Sequence, residues 1–90
     1  MKLHYKILFY PYEEVYSPNS NKTLKFDDTI ITTKRCICLA HYDLYNGNMR
    51  LGSYRVYDVL SIQLWITYVG SNTVTIPANS MHIGVIYTSK

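Results

Sequence analysis

Apolar and polar residues alternate along most of this chain, and a repeat of two is the spacing of side chains on the two faces of a β-strand. "KLHYKILF" places Leu3, Tyr5, Ile7 and Phe9 on one face and His4, Lys6 and Leu8 on the other. Pro11 ends that strand, because proline cannot donate to a ladder. "YPYEEVYSPNSNK", residues 10 to 22, carries two prolines and an Asn/Ser cluster and reads as a loop. A second strand is expected from about Thr23 to Phe26, with a turn at Asp27-Asp28. "TIITTKRCICLAHY" then predicts a third strand region, alternating around Ile31, Thr33, Arg35, Ile37 and Leu39. Asn46-Gly47 predicts a tight hairpin, since both residues tolerate φ > 0, with a return strand over Met49 to Tyr57. The clearest alternation follows: Leu60, Ile62, Leu64 and Ile66 face one way, and Ser61, Gln63, Trp65 and Thr67 the other. After a turn at Gly70-Ser71-Asn72 come "TVTI", a turn at "PAN", and a last strand with Met81, Ile83, Val85 and Tyr87 on one face. Only Val56 to Leu64 offers a competing helical turn or two. The pattern predicts one all-β domain over residues 1–90, a small antiparallel β-sandwich or barrel of about seven short strands.

Length sharpens this picture. A chain of 90 residues buries only about 60–65% of its unfolded surface, so a disulfide, a metal or a partner chain is the usual supplement. Ten tyrosines suit half-buried pleated surfaces, where the ring packs and the hydroxyl reaches water. The net charge of +3, from nine Lys/Arg against six Asp/Glu, permits nucleic acid or an anionic membrane surface as a partner without selecting either. The N-terminus lacks a secretory signal pattern, and no run of roughly 18 apolar residues exists. Cys36 and Cys38 stand two apart in "RCICLA", where a disulfide would be strained. Free thiols in a reducing cytosol are expected. The expectation is a complete small protein of the cytoplasm (host cytoplasm or virion if viral), neither secreted nor transmembrane.

From Val59 to Ser89 there are thirty-one residues without one Asp, Glu, Lys or Arg. Such a tract has three readings: the central strands of both sheets, an interface with another chain, or a face for lipid or a small ligand. A domain this small cannot bury both faces of three strands, so Ser61, Gln63, Trp65 and Thr67 are expected to point outward. Interface cores are poor in charge and rich in Trp and Tyr. A homo-oligomer interface is therefore expected at Trp65, Gln63, Thr67, Ile83, Val85 and Tyr87, closing as a ring or extending as a lattice.

Candidate chemistry is sparse. His4, His41 and His82 are far apart in sequence, and a lone C-x-C lacks zinc-site spacing. Cys36 or Cys38 with His41 and Asp43 contains the residue types of a nucleophilic site. In an unbroken strand, however, His41 faces away from both cysteines, and only a bulge would realign them. Glu13-Glu14 and Asp27-Asp28 diverge as neighbours, and no glycine-rich phosphate loop exists. No catalytic residue, cofactor, metal or small-molecule substrate is expected, and the chain is not expected to be an enzyme. Aromatic and basic residues interleave in "KLHYKILFY" and "GNMRLGSYRVY", the composition of an RNA-stacking surface. Lys34, Arg35, Arg50 and Arg55 are the candidate contacts to nucleic-acid phosphates or lipid headgroups, although Arg50 and Arg55, five apart, fall on opposite faces of an unbroken strand. Tyr10, Tyr12 and Tyr16 form a candidate loop for contacting a foreign protein, and Tyr12-Glu13-Glu14-Val15 is similar to a short phosphotyrosine motif read by SH2 domains.

In outline, a short charge-poor β-domain without a catalytic constellation resembles small viral structural modules, such as compact matrix proteins or tail-tip domains. The likeness is one of architecture and not of motif. It implies a non-enzymatic, self-associating β-protein with a structural or assembly role. The alternatives are a module binding RNA or an anionic membrane, and an inhibitor or adaptor that grips a foreign protein through its tyrosine loop.

Overall fold

The computed structural model describes residues 2–35, 37–57 and 59–89. They form eight strands: β1 (Leu3–Phe9), β2 (Glu14–Tyr16), β3 (Asn21–Asp27), β4 (Ile37–Asp43), β5 (Met49–Tyr57), β6 (Ser61–Tyr68), β7 (Val74–Ile76) and β8 (His82–Thr88). All pairings are antiparallel and fall into three small sheets, ordered β1-β8-β4, β2-β7 and β3-β6-β5. The fold is all-β, as the alternation predicts, and it is not a closed barrel. No helix occurs among the described residues, and none is therefore long and apolar enough to cross a membrane.

The pairing order has a simple logic. β1, β2 and β3 pair with β8, β7 and β6 in reverse. Residues 3–27 and 61–88 thus run as one long antiparallel ribbon, interrupted near Pro11, Pro18 and Pro77. β4 and β5 then line the far sides of β8 and β6. The central arm of the molecule is therefore β6-β7-β8, which lies within the tract that has no charged side chain. Central strands bury both their backbone edges, and β6 and β8 bury most of their side chains as well. Burial in the chain's own fold accounts for the absence of charge on β6 and β8, while the turns of the tract and Trp65 remain exposed.

One apolar cluster joins the inward rows of both three-stranded sheets. It contains Leu8, Ile83 and Val85 from the β1-β8-β4 sheet, and Leu24, Phe26, Ile62, Leu64, Ile66 and Met49 from the other. Tyr10, Tyr16 and Ile76 fill the junction between them. The molecule measures 46 × 18 × 18 Å. That is about twice the ~23 Å of a seven-residue strand, so the two three-stranded sheets are displaced from each other along the long axis.

Several local expectations are corrected. The tyrosine-rich segment is not a free loop: it contains β2, and Glu14, Val15 and Tyr16 pair with Ile76, Thr75 and Val74. "TIITTKR" precedes β4 and is not strand. Its turn is held by Asp28, whose carboxylate accepts the Ile30 N–H at 3.0 Å. Asn46-Gly47 makes no hairpin, because β4 pairs with β8 and β5 with β6. The segment carries the chain from one sheet to the other, and its left-handed residue is Tyr45, at φ 75°. The competing helical stretch is divided between β5, the turn at Val59-Leu60, and β6.

Candidate functional site: two outer sheet faces

Each three-stranded sheet turns one face to the core and one outward, and the outward faces hold nearly all the chemistry. Register assigns their members. On β1-β8-β4 the outward residues are Leu3, Tyr5, Ile7 and Phe9, opposite Thr88, Ile86, Gly84 and His82, with Cys38, His41 and Asp43 on the far strand. Leu3, Tyr5, Ile7 and Phe9 are 67%, 52%, 44% and 55% exposed. The row that alternation marks as the apolar side of β1 therefore faces away from the core, and Leu8 is the residue of β1 that enters it. Its inward neighbour Lys6 reaches a carboxylate instead, the Asp28 Oδ2 at 2.8 Å.

This first face is ringed rather than bare. The Tyr5 hydroxyl meets Nε2 of His41 above Gly84, where a Cβ would collide with both. His82 sits 5.4 Å from the Phe9 ring and 5.8 Å from His41, centroid to centroid. A β-bulge between Leu39 and His41 shifts the parity of β4. It brings His41 to the same side as Cys38 and Asp43, the realignment that an unbroken strand forbids. The imidazole Nε2 is nevertheless taken by Tyr5, and Asp43 Oδ1 accepts the Tyr45 N–H at 3.0 Å. Cys38 is a free, exposed thiol, and Cys36 lies outside the described residues. Among the described residues no group of three or more His, Cys, Asp and Glu side chains could hold a metal ion.

The second face, on β3-β6-β5, is a grid read directly from the register. Its rows are Lys25–Gln63–Arg55, Thr23–Trp65–Ser53 and Asn21–Thr67–Arg50. Trp65 is 46% exposed at the centre, whereas Ser61, expected to point outward with it, is buried where the row Asp27–Ser61–Tyr57 closes the face. A second bulge, at Gly52 between Leu51 and Ser53, turns Arg50 and Arg55 to the same side although they are five apart. An isolated glycine inside a strand is a recognised sign of a bulge, so this one was available in the sequence. A Cβ on Gly52 would come within 2.9 Å of Trp65 Cδ1, so the bulge backbone lies directly against the indole. The Arg55 guanidinium lies 5.6 Å from the Tyr57 ring centre and donates to its hydroxyl at 3.2 Å. Thr23, Ser53, Arg55, Tyr57, Gln63 and Trp65 border a shallow concavity of about 410 Å³.

The remaining predicted residues are dispersed. Ile83 and Val85 are fully buried, and Tyr87 is partly buried on the same inward row, under the Arg35 guanidinium at 5.6 Å. The three lie in the other sheet from Trp65, Gln63 and Thr67, so the six do not form one surface. Lys34 is exposed and, with Arg35, precedes β4, apart from Arg50 and Arg55 on β5. Tyr10 and Tyr16 are core residues, and only Tyr12 of that group is exposed. The Tyr10 hydroxyl donates to Glu14 at 2.5 Å, and Lys22 holds the other Glu14 oxygen at 3.1 Å. Burial pushes the Tyr10 and Tyr16 phenols well above their usual range, with the Glu14 carboxylate adding to both. The rings that suggested a partner loop thus close the junction of the chain's own sheets. Comparison with protein-family models, curated proteins and solved structures finds no match to this chain.

Proposed function

We propose that this protein is a non-enzymatic, self-associating β-module with an assembly role, and that two copies pack the outer faces of their β1-β8-β4 sheets together. One observation carries the reading: an edge strand presents four large apolar side chains to solvent in an unbroken row. Together they expose on the order of 400 Å² of mostly apolar surface, a patch size that marks interaction sites on monomers. That is about half the ~800 Å² each partner contributes to a standard interface. Ile86, Cys38 and the two histidine rings extend the same face.

A second copy fits this face better than a foreign partner of unspecified charge. Asp43 is the only formal charge among the outward residues, so two identical faces do not repel. A two-fold arrangement uses the same patch twice and closes. Edge-to-edge pairing of β1 would leave the apolar row wet, whereas face-to-face packing covers it. A chain of this length also gains from burying more surface than its own core can.

Sedimentation equilibrium tests this. The expected result is a dimer that dissociates with a constant on the order of 10 µM. Leu3→Lys combined with Ile7→Lys should leave a folded monomer, while Trp65→Ala should leave the dimer intact. A monomeric wild-type chain at high concentration would end the proposal, and dissociation by Trp65→Ala alone would move the interface to the other sheet.

A further inference from the structure

The grid on the other outer face has a chemistry of its own, independent of self-association. We infer that the outer face of the β3-β6-β5 sheet binds single-stranded nucleic acid, with Trp65 stacking a base and Lys25, Arg50 and Arg55 receiving the flanking phosphates.

Trp65 is on the central strand, half exposed, with the Gly52 backbone pressed against one side of its ring. A ring fixed in this way stacks a base with little loss of rotamer freedom, and stacking tolerates any base because each has a π-face. The cations stand around it and not beside it. Lys25 and Arg55 flank Gln63 from the two edge strands, and Arg50 flanks Thr67 at the other end of the grid, where its Nη1 donates to the Gly47 and Met49 carbonyls and Nη2 and Nε are left for phosphate. Strand spacing puts the two edge columns about 10 Å apart, which leaves room for a base between backbone contacts on either side. No carboxylate falls within the three rows, and Asp27 lies one register step beyond them. The three cations thus outnumber the one bordering carboxylate, and the surplus positive charge is complementary to phosphate. Gln63, Thr23 and Ser53 add amide and hydroxyl groups that reach base edges without selecting a charge.

This combination separates the ligand classes. A duplex hides its base faces and gives Trp65 nothing to stack on, while an anionic lipid surface would use the cations and leave the concavity empty. A single strand uses all of it.

Trp65 is the chain's only tryptophan, so its emission reports on this site alone. Titration with oligo(U) and oligo(dT) of about ten nucleotides should quench that emission. Anisotropy of the labelled strands should give an affinity that falls with salt at a log–log slope of about −2, as expected for three phosphate contacts. Arg55→Gln should flatten the slope by about 0.7. Trp65→Ala should weaken binding on the order of 10-fold or more, and Trp65→Phe by less. The Leu3→Lys/Ile7→Lys double variant should still bind, which separates this site from the self-association face. Absence of quenching by either strand at low salt overturns the inference, with or without a stable Trp65→Ala variant. So does equal binding of duplex DNA, inorganic polyphosphate or phosphatidylserine vesicles, or unchanged affinity in a folded Trp65→Ala protein.

Discussion

The two outer faces are built on sheets of equal strand number and opposite chemistry. One sets an apolar row on an edge strand and places its single formal charge at the end. The other sets one tryptophan at the centre of a polar, basic grid. In each, a glycine lies beneath the decisive side chain: Gly84 under the Tyr5–His41 contact, and Gly52 against Trp65. In each, a bulge in the strand that carries on from the intersheet crossing changes which residues share the face. Alternation thus identifies two faces but not which one is wet. On β6 the apolar row is the inner one, as hydrophobic burial favours. On β1 the larger apolar row is the outer one, and of the opposite row only Leu8 is buried, while Lys6 is exposed and His4 half-buried.

The largest effect that would break this comparison comes from neighbours on β1. Leu8 is buried and Ile7 is not. Leu8→Ala should cost about 2–4 kcal/mol in urea unfolding, a transfer loss plus a cavity. Ile7→Ala should cost no more than about 0.5 kcal/mol in the dilute monomer, as surface substitutions do. Reversal of that order would place the Leu3-Tyr5-Ile7-Phe9 row in the core and remove the exposed face altogether.

A smaller effect probes why β1 can spare apolar residues on its inner side. Lys6, on the side opposite the apolar row, stays exposed and meets Asp28 at 2.8 Å. Burial alone pushes the Asp28 carboxyl up, but the hydrogen bonds from Lys6 and from the Ile30 N–H outweigh it and hold it below the usual carboxylate range. A depressed folded value means stability present above the unfolded value near pH 4 and lost as pH falls through the folded one. Asp28→Asn should therefore be less stable than the wild type by about 1 kcal/mol or less at neutral pH. The gap should close on acidification. A gap that persisted below both values would show that the ion pair is not its source.

Much of the fold is legible in the sequence, for physical reasons that also mark where legibility stops. β6 and β8 declare themselves because strong alternation coincides with burial of one row. β2 does not, because three residues between Pro11 and Pro18 carry too short a pattern, and β2 exists by pairing with β7 across the chain. The tract from Val59 to Ser89 suggests an interface by its lack of charge, yet strand order supplies the reason for most of it, and strand order depends on long-range pairing that no local pattern encodes. The polar grid was half legible. Trp65, Gln63 and Thr67 are plain from alternation, and Gly52 signals the bulge that brings Arg50 and Arg55 beside them. Lys25 joins only through the register of β3 with β6. On the apolar face, the bulge at Ala40 carries no comparable signal, and so the side on which His41 emerges could not be read.

The smallest effect concerns the rim where the polar face ends. Leu60 closes the β5–β6 turn at φ 61°, a left-handed backbone for a residue that is exposed. An L-residue with a branched side chain pays roughly 1–2 kcal/mol there, and turns of this kind ordinarily place glycine at the left-handed position. Glycine removes that strain but widens the unfolded ensemble, at a cost of about 0.4–1 kcal/mol. Leu60→Gly should therefore raise stability by about 0.5–1 kcal/mol, since the backbone carbonyl that accepts the Asp28 N–H is retained. Asn79, at φ 62°, gives the contrast: asparagine already tolerates this region, so Asn79→Gly should change little. Because Leu60 is itself exposed and apolar, the same variant separates general stickiness from the proposed interface. Dimer affinity unchanged by Leu60→Gly but abolished by the β1 lysines would assign association to the apolar face, whereas equal loss from both would assign it to scattered exposed side chains.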